Sequence, residues 1–245
     1  MNRLTTRGNL TASLFFVIAL CFGACGGGEQ SKVYDEAEAP GGAQVKRGVQ
    51  PEPDAEAAVL EVEAAGVPYG RLVIELYPNL APKMVERFKR LVGEGFYNGT
   101  AFHRVNPRAG VVQGGDPNSK DDDPSNDGAG DSPYPDLPAE FSDIPFDRGT
   151  VGAARLGPRK AVGGQPALAE ADAVNTANCQ FYITLHRVPQ WDAHYTVFGR
   201  VIEGMGNADA IAGAPTRPAP HAENPANKIV IKSATLQPRA NFQKQ

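Results

Sequence analysis

Seven residues, Arg71-Leu72-Val73-Ile74-Glu75-Leu76-Tyr77, alternate so that Leu72, Ile74 and Leu76 fall on one face. That two-residue period is the mark of a half-buried strand. Val59 to Glu63 alternate in the same way, and Gly66-Val67-Pro68-Tyr69-Gly70 makes a turn between the two runs, so the segment from Ala57 to Tyr77 predicts a hairpin. Shorter strand patterns follow at 102–104, 111–113, 149–155, 180–185, 195–201 and 228–236. With 27 Gly and 21 Pro in 245 residues, tight turns are plentiful and room for helices is small. The expected fold class is mainly β: a closed eight-stranded antiparallel barrel, which removes exposed edges, with about two flanking helices. One helix opens at Pro82 and closes at Gly93, with Met84, Val85, Phe88, Leu91 and Val92 facing the core and Lys83, Glu86, Arg87, Lys89 and Arg90 facing water. The second is a short stretch from Asn207 to Ala212.

The N-terminus obeys different rules. Arg3 and Arg7 precede an apolar run from Leu10 to Phe22, then Gly23-Ala24-Cys25. A charged start, an apolar run too short for a comfortable membrane span and small residues at a cleavage point predict a signal peptide over 1–24. Small residues before a Cys resemble the lipobox of bacterial lipoproteins, which makes Cys25 the expected lipidated N-terminus; Phe22 departs from the usual Leu. An ordinary secretory signal is the alternative, and both send the mature chain out of the cytoplasm. Gly26 lacks the Asp of the usual inner-membrane retention signal, which favours an extracytoplasmic, lipid-anchored chain at the outer membrane. Cys179 is then the one thiol left, so no intrachain disulfide is possible. Residues 25–56, poor in large apolar side chains, read as a disordered tether, 57–237 as the folded domain, and 238–245 as a tail.

Charge excludes some functions. The 24 basic and 28 acidic residues form no Lys/Arg block, so nucleic acid is not an expected partner. Asp123 to Gly128 suggests a calcium loop, but Tyr134 stands where the bidentate Glu should be. No Cys/His spacing suits a metal.

The chemistry sits in an odd set of polar strand residues: Arg104, Gln113, Arg155 and Gln180, with Phe102, Val111, Tyr182, Trp191 and Tyr195 nearby. Each alone has a bland reading, a snorkelling Arg or a surface Gln. In order, however, Pro82-Lys83, Glu94-Gly95-Phe96-Tyr97, Phe102-His103-Arg104, Gln113-Gly114-Gly115-Asp116, Gln180-Phe181-Tyr182-Ile183 and Val197-Phe198-Gly199-Arg200 resemble the cyclophilin-type peptidyl-prolyl isomerases from about Ala57 to Gln237.

That resemblance implies an eight-stranded barrel with a groove on its outer face, no cofactor and no metal, acting on proline-containing polypeptides. A monomer is the expected state. Arg104 matches the catalytic Arg, and Gln113 matches the Gln that binds substrate backbone and orients it. Val111, Tyr182, Ala154, Arg155, Gln180, Trp191, Tyr195 and Phe102 match or adjoin substrate-binding positions. His103 occupies a position the family uses structurally. Three departures stand out. Pro107 is followed by Arg108-Ala109-Gly110, one residue longer than usual, and Gly110 falls where a pocket Phe belongs. Gln190-Trp191 replaces the usual Trp-Leu. Residues 156–174 form a longer loop beside the groove. The resemblance implies a prolyl isomerase; the missing Phe keeps open a catalytically weak proline-peptide-binding or chaperone module.

Overall fold

The computed structural model describes residues 34–35, 39–162 and 164–242. The segment 1–24 expected to be a signal peptide, Cys25 and the last three residues of the chain lie outside these. In chain order the strands and helices are β1 (Tyr34–Asp35), β2 (Val45–Lys46), β3 (Glu56–Ala64), β4 (Val67–Leu76), α1 (Pro82–Gly93), β5 (Arg104–Asn106), β6 (Val111–Gly114) and β7 (Phe141–Ser142). There follow β8 (Thr150–Ala153), α2 (Glu170–Ala173), β9 (Phe181–Thr184), β10 (Val197–Glu203), α3 (Met205–Ala212) and β11 (Ile229–Pro238).

Eight strands form one antiparallel sheet in the order β11-β3-β4-β10-β8-β9-β6-β5. The sheet curls into a half-barrel, and its outermost strands, β11 and β5, do not pair along their lengths. The expectation of a closed barrel is therefore corrected. The physical reason is that β5 has only three residues; the chain before it meets β11 instead, through Phe102 N–H to Ile229 O at 2.9 Å and Ile231 N–H to Thr100 O at 2.8 Å. Both edges are thus covered locally rather than abolished. The described residues contain three helices rather than about two.

The β3–β4 hairpin forms, but its turn is tighter than the sequence suggests. Ala65 and Gly66 alone link the strands, both at positive φ, and β4 starts at Val67. Helix α1 has the bounds expected of it. Its first free amides are capped from a distance, because Glu140 accepts from Lys83 N–H at 3.1 Å and Met84 N–H at 2.9 Å. Arg87, expected on the wet side, is buried, and its Nη2 donates to Pro135 O at 2.8 Å.

Two further boundaries move. Residues 39–56, read as tether, pack on the domain. Val45 is buried against Phe141 and Val174, Lys46 Nζ donates to Leu80 O at 2.7 Å, and Asp54 pairs with Lys89 at 2.9 Å. The tail also docks, since Arg239 pairs with Glu75 and Phe242 packs on Ala57, Val59 and Val73.

Several strands are buried on both faces, which gives two apolar layers. Leu60, Leu72, Ile74, Phe88, Tyr97, Phe102, Phe181 and Phe198 fill the concave inside. Tyr77, Leu80, Val111, Phe146, Tyr182, Val188 and Val197 make a second cluster outside it. Alternation explains the division: Phe181 and Tyr182 are neighbours on β9, so one side chain enters the interior and the next leaves it. Val112 and Val111 divide in the same way on β6.

Candidate functional site

Register places the site. Arg104 on β5 lies opposite Gln113 on β6, Gln113 opposite Tyr182 on β9, Tyr182 opposite Gly152 on β8, and Gly152 opposite Val197 on β10. Directly opposed residues share a face, so these five form one row across the outside of the sheet. Gly152 is needed in that row. A Cβ there would come 2.5 Å from the Tyr182 hydroxyl, so only the absence of a side chain lets the ring lie across β8.

At the polar end, Arg104 Nη1 faces Gln113 Oε1 at 3.5 Å, and Gln113 Nε2 donates to Gln180 Oε1 at 3.0 Å. Gln180 Nε2 donates in turn to Gly130 O at 2.9 Å. Gly130 is fixed by the loop around buried Asp116, whose carboxylate accepts from the amides of Asn118 and Gly128. A chain of donors and acceptors therefore sets which way the Gln113 amide points, with its carbonyl toward Arg104.

At the apolar end, Tyr182 stacks on Phe146 at 5.9 Å and meets Trp191 edge-on at 5.0 Å and Tyr195 at 5.9 Å. Trp191 comes from the 3₁₀ turn Pro189–Trp191. Trp191 and Tyr195 are half-buried, while Tyr182 and Phe146 are buried behind them, so the four rings make one aromatic cluster at this end of the row. Tyr182 is buried, its hydroxyl lacks a protein partner, and burial drives the phenol well above its ordinary pKa. Arg155 extends the surface, its guanidinium 4.7 Å above the Tyr195 ring and 3.0 Å from Glu170 Oε1.

The structure brings together Arg104, Gln113, Gln180, Val111, Ala154, Arg155, Tyr182, Trp191 and Tyr195. It does not bring in Phe102. That side chain is fully buried in the inner layer, edge-on to Phe181 at 6.3 Å, and its assignment to substrate binding is corrected. The residue after it, His103, is also buried; desolvation holds its imidazole below the usual pKa. Cys179 is buried, and burial pushes its thiol up to about 12, which leaves no thiolate for chemistry near neutrality.

Gly110, at the missing Phe, adopts φ of +78° and lies under the His186 ring; a Cβ there would meet Nε2 at 2.5 Å. Nothing aromatic rises from position 110, and Ala109 and Trp191 border the outer cluster instead. The 156–174 loop is partly built. Bridges Arg159↔Leu168 and Val162↔Gln165 precede α2, and Leu156, Arg159 and Gln165 wall a cavity of about 250 Å³ that also touches Gln113, Gln180 and Ala154.

Two participants escaped the sequence reading. Phe146 was hidden in a loop with no repeating pattern. Glu223, 119 residues from Arg104, accepts from Arg104 Nε at 2.5 Å. Burial works to raise the Glu223 carboxyl, but the bonds from Arg104 and Asn106 outweigh it and hold the group below the usual range.

Residues 59–236 match the family model described as cyclophilin type peptidyl-prolyl cis-trans isomerase/CLD. The chain belongs to the cyclophilin family. A probable peptidyl-prolyl cis-trans isomerase of Brucella suis is 44% identical over 146 residues, which is 58% of this chain and 66% of that protein. A peptidyl-prolyl cis-trans isomerase of Schizosaccharomyces pombe is 39% identical over 137 residues, 56% of this chain and 75% of that protein. Among solved structures, a cyclophilin type peptidyl-prolyl cis-trans isomerase of Cryptosporidium parvum in the presence of the dipeptide Ala-Pro is similar. It has a TM-score of 0.57 and 25% identity, covering 74% of this cyclophilin and 98% of that chain.

Proposed function

We propose that this cyclophilin accelerates cis–trans rotation about X-Pro bonds in proline-containing polypeptides. Amide resonance sets a barrier of roughly 18–20 kcal/mol, and rotation breaks no covalent bond, so catalysis requires only tighter binding of the twisted amide than of either planar isomer. Arg104 donates to the substrate carbonyl and favours a pyramidal prolyl nitrogen, which weakens that resonance. Gln113 binds the substrate main chain and keeps Arg104 in line. Trp191 and Tyr195, backed by the buried rings of Tyr182 and Phe146, receive the proline ring, while Ala154 and Arg155, just past the end of β8, offer main chain for docking. The observation that carries this reading is the single row of Arg104, Gln113 and Tyr182 across the outer face, with Gln180 fixing the Gln113 amide.

Gly110 supports a second reading. Without a ring at that position the proline is held on fewer sides, which suits a binding or chaperone module that docks the backbone and turns over slowly. A coupled peptide-isomerisation assay, with peptide binding followed separately, divides the two: turnover that depends on Arg104 supports the enzyme, and binding without turnover supports the module.

The same reading extends to location. A signal over 1–24 and lipidation of Cys25 would hold the domain outside the cytoplasm as a membrane-anchored monomer facing exported proteins. Among the described residues no helix is long and apolar enough to cross a membrane. Labelling with a radioactive fatty acid, lost in Cys25→Ser, tests the anchor.

A further inference from the structure

The carboxylate of Glu223 occupies the Nε edge of Arg104, and three separate bonds fix it there. Oε2 accepts from Arg104 Nε at 2.5 Å, Oε1 accepts from Asn106 Nδ2, and the Glu223 main-chain O accepts from Val105 N–H at 2.7 Å. Arg104 and Asn106 are two apart on β5 and so share a face, which lets one carboxylate take both. Asn106 is itself held, since its Oδ1 accepts from Ala109 N–H at 2.8 Å. The loop that carries Glu223 is braced on its other side, where Asn224 Nδ2 donates to Asp127 Oδ2 at 3.0 Å and Asn224 N–H to His221 O at 2.9 Å.

We propose that Glu223 is a positioning residue for the isomerisation, holding the Nε edge of Arg104 so that its Nη donors face the substrate amide. This rests on the isomerase reading above. A guanidinium has five donors in a fixed plane, so fixing Nε and one Nη sets the direction of the rest. Gln113 alone does this poorly, because its contact at 3.5 Å is at the outer limit of a hydrogen bond. The charged, short bond to Glu223 is the stronger of the two restraints. It is also not a device for stability. Both side chains are about two-fifths exposed, at 40% and 42%, and ion pairs that wet contribute little to folding. What the pair supplies is the orientation of a group that must be aimed before the substrate arrives.

The test uses the full chain, with Glu223→Ala and Glu223→Asp beside the wild type. The main-chain bond to Val105 survives in both variants. In a coupled assay on an Ala-Pro peptide, Glu223→Ala is expected to lower kcat about tenfold with KM within about twofold, because a mis-aimed donor is lost from the transition state alone. The Arg104 Nε–H resonance, sharp in the wild type, should broaden or vanish in Glu223→Ala, and Glu223→Asp should restore part of both signals. A folded Glu223→Ala enzyme as fast as the wild type, or faster, would overturn the proposal, as would a loss confined to KM. A wild type without turnover would sink the isomerase reading itself, and the proposal with it.

Discussion

Gln113 and Gln180 meet end to end, Nε2 to Oε1 at 3.0 Å, so the carbonyl end of Gln113 is left facing Arg104. Neither amide could choose that orientation alone. The choice is made at Gly130, whose carbonyl takes the Nε2 of Gln180 and so forces its Oε1 toward Gln113.

Replacing Gln180 by Leu removes this constraint while keeping the bulk. The Gln113 amide then loses its partner and can flip, presenting NH₂ to the guanidinium. The expected loss in kcat/KM is about tenfold, with destabilisation of about 1–2 kcal/mol from the Gly130 carbonyl, left with only the weak Cys179 Sγ–H contact at 3.8 Å. Steady-state kinetics and urea unfolding of Gln180→Leu check both; unchanged turnover would remove Gln180 from the site.

Gly110→Ala tests what the missing aromatic costs locally. The new Cβ would strike the His186 imidazole, but that ring is exposed and can swing away. The φ of +78° cannot be escaped so easily, so the cost should be about 1 kcal/mol and come from the backbone. Gly110→Ala combined with His186→Ala should therefore be about as destabilised as Gly110→Ala with His186 intact. Full recovery in the double variant would show that contact, not conformation, set the cost.

Tyr182→Phe should stabilise the protein or leave it unchanged. The Tyr182 hydroxyl is buried without a protein partner and crowds Gly152, and removing it relieves a desolvation cost of about 1–3 kcal/mol. The ring contacts with Phe146 and Trp191 remain. Thermal unfolding decides the matter; a fall in Tm of several degrees would mean that the hydroxyl is satisfied in solution.

Asp54 ties the segment before β3 to helix α1, and its titration gives that tie a pH signature. Burial works to raise the Asp54 carboxyl, while bonds from Lys89 Nζ and the Glu56 amide outweigh it and hold the group below its ordinary 3.8. A carboxyl depressed in the folded state contributes stability that is fully present above its unfolded pKa and is lost as pH falls through the folded one. Lys89, raised above 10.5, adds a contribution that fades only at still higher pH. The stability difference between wild type and Asp54→Asn should thus stay constant from about pH 5 to 9 and shrink below about pH 4. Urea unfolding across that range measures it, and a difference that grows on acidification would contradict the sign.

Much of this was legible in the residues. Pro82 and Gly93 at the ends of α1 are local signals that tertiary contacts did not override, whereas the alternation from Arg71 to Tyr77 marked a strand but not its burial, since Val73 and Glu75 on the expected wet face are buried too. Arg104, Gln113, Tyr182 and Trp191 came together because short motifs carried them. Closure was illegible, since it depends on how β5 meets β11 and no count of strands reveals that. Residues 39–56 were misread because composition reports whether a segment can make its own core, and Val45 enters someone else's, beside Phe141 and Val174. Phe102 lies two residues before the motif Arg, where a two-residue period would put both on one face, but the chain has not yet entered β5 there and the ring turns into the inner layer. Glu223 and Phe146 lie on loops whose approach is set wholly by the folded chain.

In the proposed mechanism Arg104, at the polar end of this row, lowers the barrier to X-Pro rotation. A coupled isomerisation assay on an Ala-Pro peptide, run on the wild type and Arg104→Ala at matched foldedness, tests it most directly. Measurable turnover is expected in the wild type, with a loss of roughly a hundredfold in kcat/KM in the variant. Equal rates in the two proteins would contradict it.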